Sequence, residues 1–527
     1  MATATLTAAP AAPIDPPIDK TKLIAFLAMV FGMFMAILDI QIVSASLSEI
    51  QAGLGASSDE ISWVQTAYLI AEVIMIPLSG FLSRVFSTRW IFAFSAGGFT
   101  FMSFLCGTAT SIDQMIFYRA LQGFIGGGMI PTVFASAFTV FPRSKQAIIT
   151  PMIGLVATLA PTIGPTVGGY LTELLSWHWL FFINVIPGII VTVMTVALVD
   201  FDEPDLSLLD RFDWWGLGSM ALFLGSLEYV LEEGPSNDWF DDNLVFSLAI
   251  AGTLSAVFFF WRVLTAKEPI VDLRAFTNRN FATGSLFSFV MGIGLYGLTY
   301  LFPVYLGRIR GYDSLMIGET MFVTGACMFL TAPIAGRLSR VLDPRLMLLA
   351  GFWGFGLGTW ILSGLTHDWD FWELLLPQIL RGVSLMTCMV PISNIALGTL
   401  PPSRIKNASG LYNLTRNLGG AVGLAVINTV LNHREDLHIQ RLSEAVNWAN
   451  PKAVETWNML KQGFSTFGDN ADAMTASRLV GMVRREALVM SFADVFLVLT
   501  ALFVSLGLAI LLVKKPQAAG GGGGGGH

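Results

Sequence analysis

Asp39 stands in the middle of an apolar run, Phe34-Met-Ala-Ile-Leu38 on one side and Ile40-Gln-Ile-Val43 on the other. A charged side chain deep in lipid costs a few kcal/mol or more. Burial therefore favours the neutral form of this carboxyl group and makes it able to load and release a proton. Gly32, Ala36, Asp39 and Val43 share one helix face by their spacing. The small residues on that face let a second helix approach, so Asp39 is expected to point inward. A static ion pair or a helix cap is the alternative. Arg119 stands in another apolar run, on one face with Gln122 and Gly126. A buried guanidinium stays charged and needs an acidic or carbonyl partner. It favours the ionised form of a neighbouring carboxyl group, so Arg119 can govern proton release; a structural arginine is the alternative. Gln65, Tyr68 and Glu72 recur at i, i+3 and i+7 and read as one wall of a central cavity. Glu72 there meets Arg119 or binds a cationic substrate.

Further polar positions are less telling. Glu228 lies in a run where packing or a lipid-side position competes with function. Glu319 lies one turn inside its run and can snorkel. Arg381 and Arg416 are buried basic residues that nearby Asn394, Asn413 and Asn417 can satisfy as structural polar contacts. Gly123-Phe-Ile-Gly126-Gly127-Gly128 sits within an apolar run with no preceding strand, so it is not a phosphate loop, and no Gly-Lys dipeptide exists to make a Walker A motif. His433 and His438 have no cysteine or carboxylate at ligand spacing, so no metal site is read. No nucleophile–base motif stands out, so no enzyme and no cofactor is expected.

The elements that must hold these residues are membrane helices. Of 527 residues 54% are hydrophobic and only 13% charged, against roughly 25% charged in soluble domains. Fourteen runs are long enough to span a bilayer at about 20 residues each: 23–47, 61–82, 90–107, 113–137, 147–171, 179–199, 212–231, 243–264, 281–306, 314–335, 346–365, 373–397, 409–430 and 489–513. They lack the alternation of barrel strands. The fold class expected is an all-α polytopic membrane protein. Residues 1–22 read as a disordered cytoplasmic tail and 514–527 as a flexible Gly-rich tail. Cys106, Cys327 and Cys388 each sit in an apolar run, which excludes a disulfide scaffold. A net charge of −7 argues against nucleic acid. With both termini placed inside, eighteen Lys and Arg fall on inner connections and only Arg308 and Arg310 on short outer ones. That asymmetry puts both termini in the cytoplasm. The polar segment 431–488 then lies outside, with a surface helix near 475–488 and Trp448 and Trp457 at the lipid interface.

Pro77-Leu-Ser-Gly-Phe-Leu-Ser-Arg-Val-Phe-Ser-Thr-Arg89 repeats in register as Pro333-Ile-Ala-Gly-Arg-Leu-Ser-Arg-Val-Leu-Asp-Pro-Arg345. Each stretch follows the second span of a six-span unit. The organisation expected is one half over 23–199, a linker with two extra spans over 200–280, and a second half over 281–513 that includes 431–488. Parallel repeats of this kind are a transporter architecture, with the substrate site between them.

Four further segments carry a family resemblance. They are Leu38-Asp39-Ile-Gln41-Ile-Val43, Arg119-Ala-Leu-Gln122-Gly123, Ala160-Pro-Thr-Ile-Gly164-Pro165-Thr-Val-Gly168-Gly169, and Trp177-His-Trp-Leu-Phe-Phe-Ile-Asn184. Together with the span count and the repeat, the chain resembles the major facilitator superfamily, in particular its fourteen-span drug:proton antiporters of the EmrB type. It departs from that pattern at Arg84, which holds an acidic place, at Ser87, which holds a glycine, and at Gln41, which holds a Ser/Thr. The resemblance implies two six-helix halves and proton-driven export of hydrophobic, often cationic compounds from a bacterial inner membrane. It implies no cofactor beyond the proton motive force and gives Arg119 a part in proton coupling, in which the apolar setting of Asp39 and Glu72 also places these two carboxyl groups. Gln41, Gln65, Tyr68, Gln122 and Glu319 are then candidates for the substrate cavity, and Gly164, Pro165, Gly168 and Gly169 for a hinge and seal. Membrane lipid, a periplasmic adaptor and an outer-membrane channel are the implied partners. The cavity is expected to be lined by Met, Phe and Trp with few polar groups. An uptake symporter would want more hydrogen-bonding groups there; a scaffold or receptor that moves nothing is the other rival.

Overall fold

The computed structural model describes residues 19–266 and 269–510. Apart from residues 19–22, the two expected tails lie outside these residues, as does Lys267. Among the described residues there are helices, turns and loops but no strand. Among the described residues fourteen long helices follow one another: α1 (Lys20–Ala45), α2 (Ser58–Val85), α3 (Ser87–Gly107), α4 (Ile112–Val140, interrupted at Gly127-Gly128), α5 (Gln146–Leu174), α6 (Trp179–Leu198, interrupted at Ile183-Asn184), α7 (Trp214–Glu233), α8 (Asn243–Thr265), α9 (Arg279–Tyr305), α10 (Ser314–Val341), α11 (Pro344–Leu362), α12 (Phe371–Leu397), α13 (Pro402–Ala445) and α14 (Ala471–Ala509). Each expected run falls on one of them as far as the described residues reach, the last three residues of 489–513 lying outside them. Thirteen are long and apolar enough to cross a membrane. The exception is α7, whose last two turns carry Glu228, Glu232 and Glu233.

Local chemistry sets several starts. Ser57 and Glu60 form a capping box at α2, and Asp370 and Glu373 form another at α12. Asp242, Asn278, Asp313 and Asp343 cap α8, α9, α10 and α11 through side-chain oxygens.

The segment 431–488 differs from expectation. Helix α13 runs unbroken for 44 residues to Ala445, and α14 begins at Ala471. The surface helix expected near 475–488 is the first part of α14. After Gly423 no Gly or Pro interrupts α13, so its hydrogen-bond ladder continues out of the apolar stretch. At about 1.5 Å per residue α13 is roughly twice as long as a hydrocarbon core is thick, so its end projects beyond the lipid. Trp448 and Trp457 pack edge to face at 5.6 Å in this projection.

Helix α1 packs on α5, α6 and α4; α2 on α4, α13 and α7; α5 on α10; α9 on α13. The repeat has a structural counterpart. A Cβ on Gly80 of α2 would come within 2.7 Å of the Lys406 carbonyl oxygen of α13, and one on Gly336 of α10 within 2.4 Å of the Ala147 carbonyl oxygen of α5. The matching glycine of each repeat thus lets its helix touch the backbone of another at the same place. Helix α8 packs on α7, while α7 itself lies against α2 and α13.

Candidate functional site

Asp39 and Arg119 come together although 80 residues separate them: the Arg119 Nη1 donates to Asp39 Oδ2 at 2.6 Å. Neither side chain is exposed. The other carboxylate oxygen, Oδ1, accepts from Asn184 Nδ2 at 2.8 Å and from Gln122 Nε2 at 3.4 Å. Arg119 also donates to Gln122 Oε1 at 2.7 Å and, through Nε, to the Val64 carbonyl at 3.2 Å. Its guanidinium lies 4.2 Å from the centre of the Tyr68 ring. Asn184 in turn donates to Ser103 Oγ at 3.1 Å. The carboxylate is thus held by charge and by amide donors from two other helices, the arrangement that a buried anion requires.

Close helix approach makes the cluster possible. A Cβ on Gly123 would meet the Tyr68 carbonyl oxygen at 2.3 Å, so only glycine lets α4 bring Arg119 onto α2. Gly164 of α5 sits against Gln41 of α1, where a Cβ would come within 2.4 Å of the Gln41 Cβ, and a Cβ on Gly168 would come within 3.0 Å of the Ile42 carbonyl oxygen. Pro151, Pro161 and Pro165 all lie inside α5. Gly32 sits against Phe92 and Val191, so the small face of α1 does admit neighbouring helices.

A cavity of about 490 Å³ adjoins the cluster. Gln41, Gln65 and Glu72 line it. Tyr68 does not: it sits about 60° round α2 from Gln65 and turns to Arg119. Gln122 is likewise buried in the ion-pair cluster. Glu319 is exposed near the start of α10 and does not border the cavity, although its neighbour Ile317 does. The lining differs from the expected aromatic and thioether surface, since no Met, Phe or Trp borders it among the described residues. Many methionines lie in the packed core, as Met29, Met33 and Met321 do, and many phenylalanines face outward, as Phe94 and Phe101 do. The walls instead carry Tyr296, Tyr300, Asn417, Asn428 and four glutamates: Glu72, Glu228, Glu232 and Glu233. Glu228 and Glu232 are one turn apart at the end of an apolar run, a spacing that was visible in the sequence.

The asparagines do not satisfy the second-half arginines. Arg381 donates to Thr299 Oγ1 at 2.7 Å, and Arg416 rests over the Phe134 ring at 5.4 Å. Asn394 accepts from Thr150, and Asn413 donates to the Ser409 carbonyl. His438 pairs with Asp494 at 2.8 Å. Among the described residues no group of three His, Cys, Asp or Glu is arranged to hold a metal ion.

At the face where α1 begins, the helices are tied together. Ser87 takes a positive φ (70°), a conformation that glycine adopts without the steric cost of a Cβ. Asp202, in the segment after α6, accepts the Thr88 backbone N–H at 3.0 and 3.1 Å through its two oxygens and pairs with Lys406 of α13. Lys406 also donates to the Ser83 carbonyl at 3.0 Å. In the matching turn between α10 and α11 the capping carboxylate is local, Asp343 accepting from the Arg345 N–H at 3.0 Å. Arg84 cannot supply a carboxylate, and Asp202 brings one from 114 residues away. Nothing in the sequence linked Asp202 to Thr88.

Known proteins agree with this architecture. The family model of the Major Facilitator Superfamily matches residues 29–424. The colistin resistance protein EmrB of Acinetobacter baumannii is 42% identical over 90% of this chain and 93% of its own length. The multidrug export protein EmrB of Escherichia coli K12 is 30% identical over 95% of this chain and 97% of its own. The crystal structure of the human organic anion transporter MFSD10 (TETRAN) shares the fold at a TM-score of 0.56 and 12% identity, covering 93% of this chain and all of that one. A match over three quarters of the chain and identities of 30% and above over nine tenths of it place this protein in the Major Facilitator Superfamily, among its EmrB-type members.

Proposed function

We propose that this chain is a proton-driven antiporter that exports hydrophobic, often cationic drugs by alternating access in a bacterial inner membrane, with both termini cytoplasmic. The observation that carries this reading is the likeness, over nine tenths of the chain, to two EmrB proteins, one of multidrug export and one of colistin resistance. The geometry supports it. The cavity is lined by the later parts of α1, α5 and α9 and the earlier parts of α2 and α10, so it lies toward the face opposite the start of α1. The other face is tied by Asp202 and Lys406. With the start of α1 in the cytoplasm this is an outward-open state. The halves over 23–199 and 281–513 then rock about the tight α5–α10 and α2–α13 contacts, with 200–280 as linker. Proton arrival at Asp39 loosens its hold on Arg119 and favours one state, and substrate in the cavity favours the other. Gly164, Pro165, Gly168 and Gly169 serve as hinge and seal against α1. The projecting ends of α13 and α14 are the surface for a periplasmic adaptor that leads to an outer-membrane channel.

The polar cavity lining is what an uptake symporter would want, so direction of movement is the decisive measurement. In vesicles with an imposed pH gradient, dye moving against the proton flow supports export. Dye moving with the protons means uptake, and no gradient-dependent movement means a scaffold or receptor.

A further inference from the structure

Four carboxylates reach the cavity from two helices that are distant in the chain: Glu72 from α2, and Glu228, Glu232 and Glu233 from the last turns of α7. Glu233 has a partner, the Thr66 hydroxyl, which donates to it at 3.1 Å. Glu72 is 2% and Glu228 6% exposed, and among the described residues neither makes a hydrogen bond or an ion pair. No Lys, Arg or His lines the cavity among the described residues. Arg119 and Arg416 lie within electrostatic range of Glu72. However, Arg119 is committed to Asp39, and neither arginine borders the cavity. The charged groups that act on Glu228 are Glu232 and Glu72, both carboxylates.

Two such carboxylates in a low-dielectric wall demand neutralisation, by protons or by cations. A ligand with one positive centre serves one of them. A ligand with two, joined by an apolar body, serves both while its body lies against Leu69, Val73, Leu231, Tyr296 and Tyr300, which also line the space. Tyrosine faces add cation–π attraction. The volume suits a drug-sized molecule. Helix α7 lies outside both repeats, yet it packs on α2 and α13 and supplies three of the four charges.

From this geometry we infer that α7 is part of the substrate site and that the cavity takes organic dications, one cationic centre at Glu72 and the other at Glu228 with Glu232. The inference rests on the exporter reading and narrows its substrate class.

Ethidium and propidium share an aromatic core and differ in carrying one and two permanent positive charges. Their binding to the purified full-length protein in lipid nanodiscs, followed by fluorescence anisotropy, is the test. Wild type is expected to bind propidium at least about tenfold more tightly than ethidium, and the ratio to fall below about threefold in Glu228→Gln and, separately, in Glu232→Gln. Gel filtration and circular dichroism establish that each variant is folded; Glu232→Gln serves if Glu228→Gln is not. A wild-type ratio near one, or a ratio unchanged in the folded variants, overturns the inference. In vesicles with a pH gradient, ethidium movement without charge discrimination sinks the dication site alone. No gradient-driven movement of either dye or of a neutral hydrophobic dye sinks the exporter reading beneath it.

Discussion

The Asp39 carboxylate on α1 and the Arg119 guanidinium on α4 face each other at 2.6 Å with neither side chain exposed. A proton that neutralises Asp39 leaves Arg119 without its counter-charge, so protonation cannot occur there without consequence for the contact between α1 and α4. That makes the pair a natural place to couple proton uptake to helix movement.

Asp39→Asn keeps the shape but cannot release a proton. The variant is expected to bind substrate and yet fail to accumulate a gradient in vesicles. Normal proton-driven transport by the variant would remove Asp39 from coupling. It also leaves a buried charge unpaired, at a cost of about 3–5 kcal/mol. Thermal stability should therefore fall in the single variant and recover substantially in Asp39→Asn with Arg119→Gln.

Arg119→Lys keeps the charge but loses the planar fork that serves Asp39, Gln122 and the Val64 carbonyl together. Severely impaired transport with near-normal expression is expected. Full activity would show that a point charge suffices.

Asp202 joins the start of α3 to Lys406 of α13. Asp202→Ala is expected to open the face where α1 begins. A cysteine at Ser83, 3% exposed in the closed arrangement, should then react several times faster with a thiol reagent. Equal rates with and without Asp202 would show that the ion pair does not hold this face closed.

Ser87→Gly removes the steric cost of a left-handed residue bearing a Cβ. A gain of about 1 kcal/mol is expected, read as a higher melting temperature in detergent. An unchanged or lower midpoint would mean that the Ser87 side chain offsets its own backbone strain.

Orientation is tested by single cysteines at Ser144 and Ser465, both exposed, in a background lacking Cys106, Cys327 and Cys388. Ser87 is unsuitable because it is buried with a positive φ. An impermeant thiol reagent on intact cells should label position 465 and not 144. Labelling at 144 would invert the orientation.

The sequence by itself determined the membrane helices, because 20-residue apolar runs have one economical way to satisfy their backbone in lipid. It determined the repeat through Pro77–Arg89 and Pro333–Arg345, and it singled out Asp39, Arg119 and Glu72, because charge inside an apolar run is conspicuous. Where α13 would end was not legible: the hydropathy falls off after 430 while the helix continues to Ala445, since helix formation and membrane burial have different requirements. Only the tertiary structure decided partners. It turned Tyr68 away from Gln65 and Glu72 toward Arg119 and left Glu319 exposed. It also brought Asp202 to Thr88 and placed Glu228 of α7 on the same cavity as Glu72. Those choices depend on how helices distant in the chain pack side by side, and spacing within one helix carries no information about which neighbour its polar face will meet.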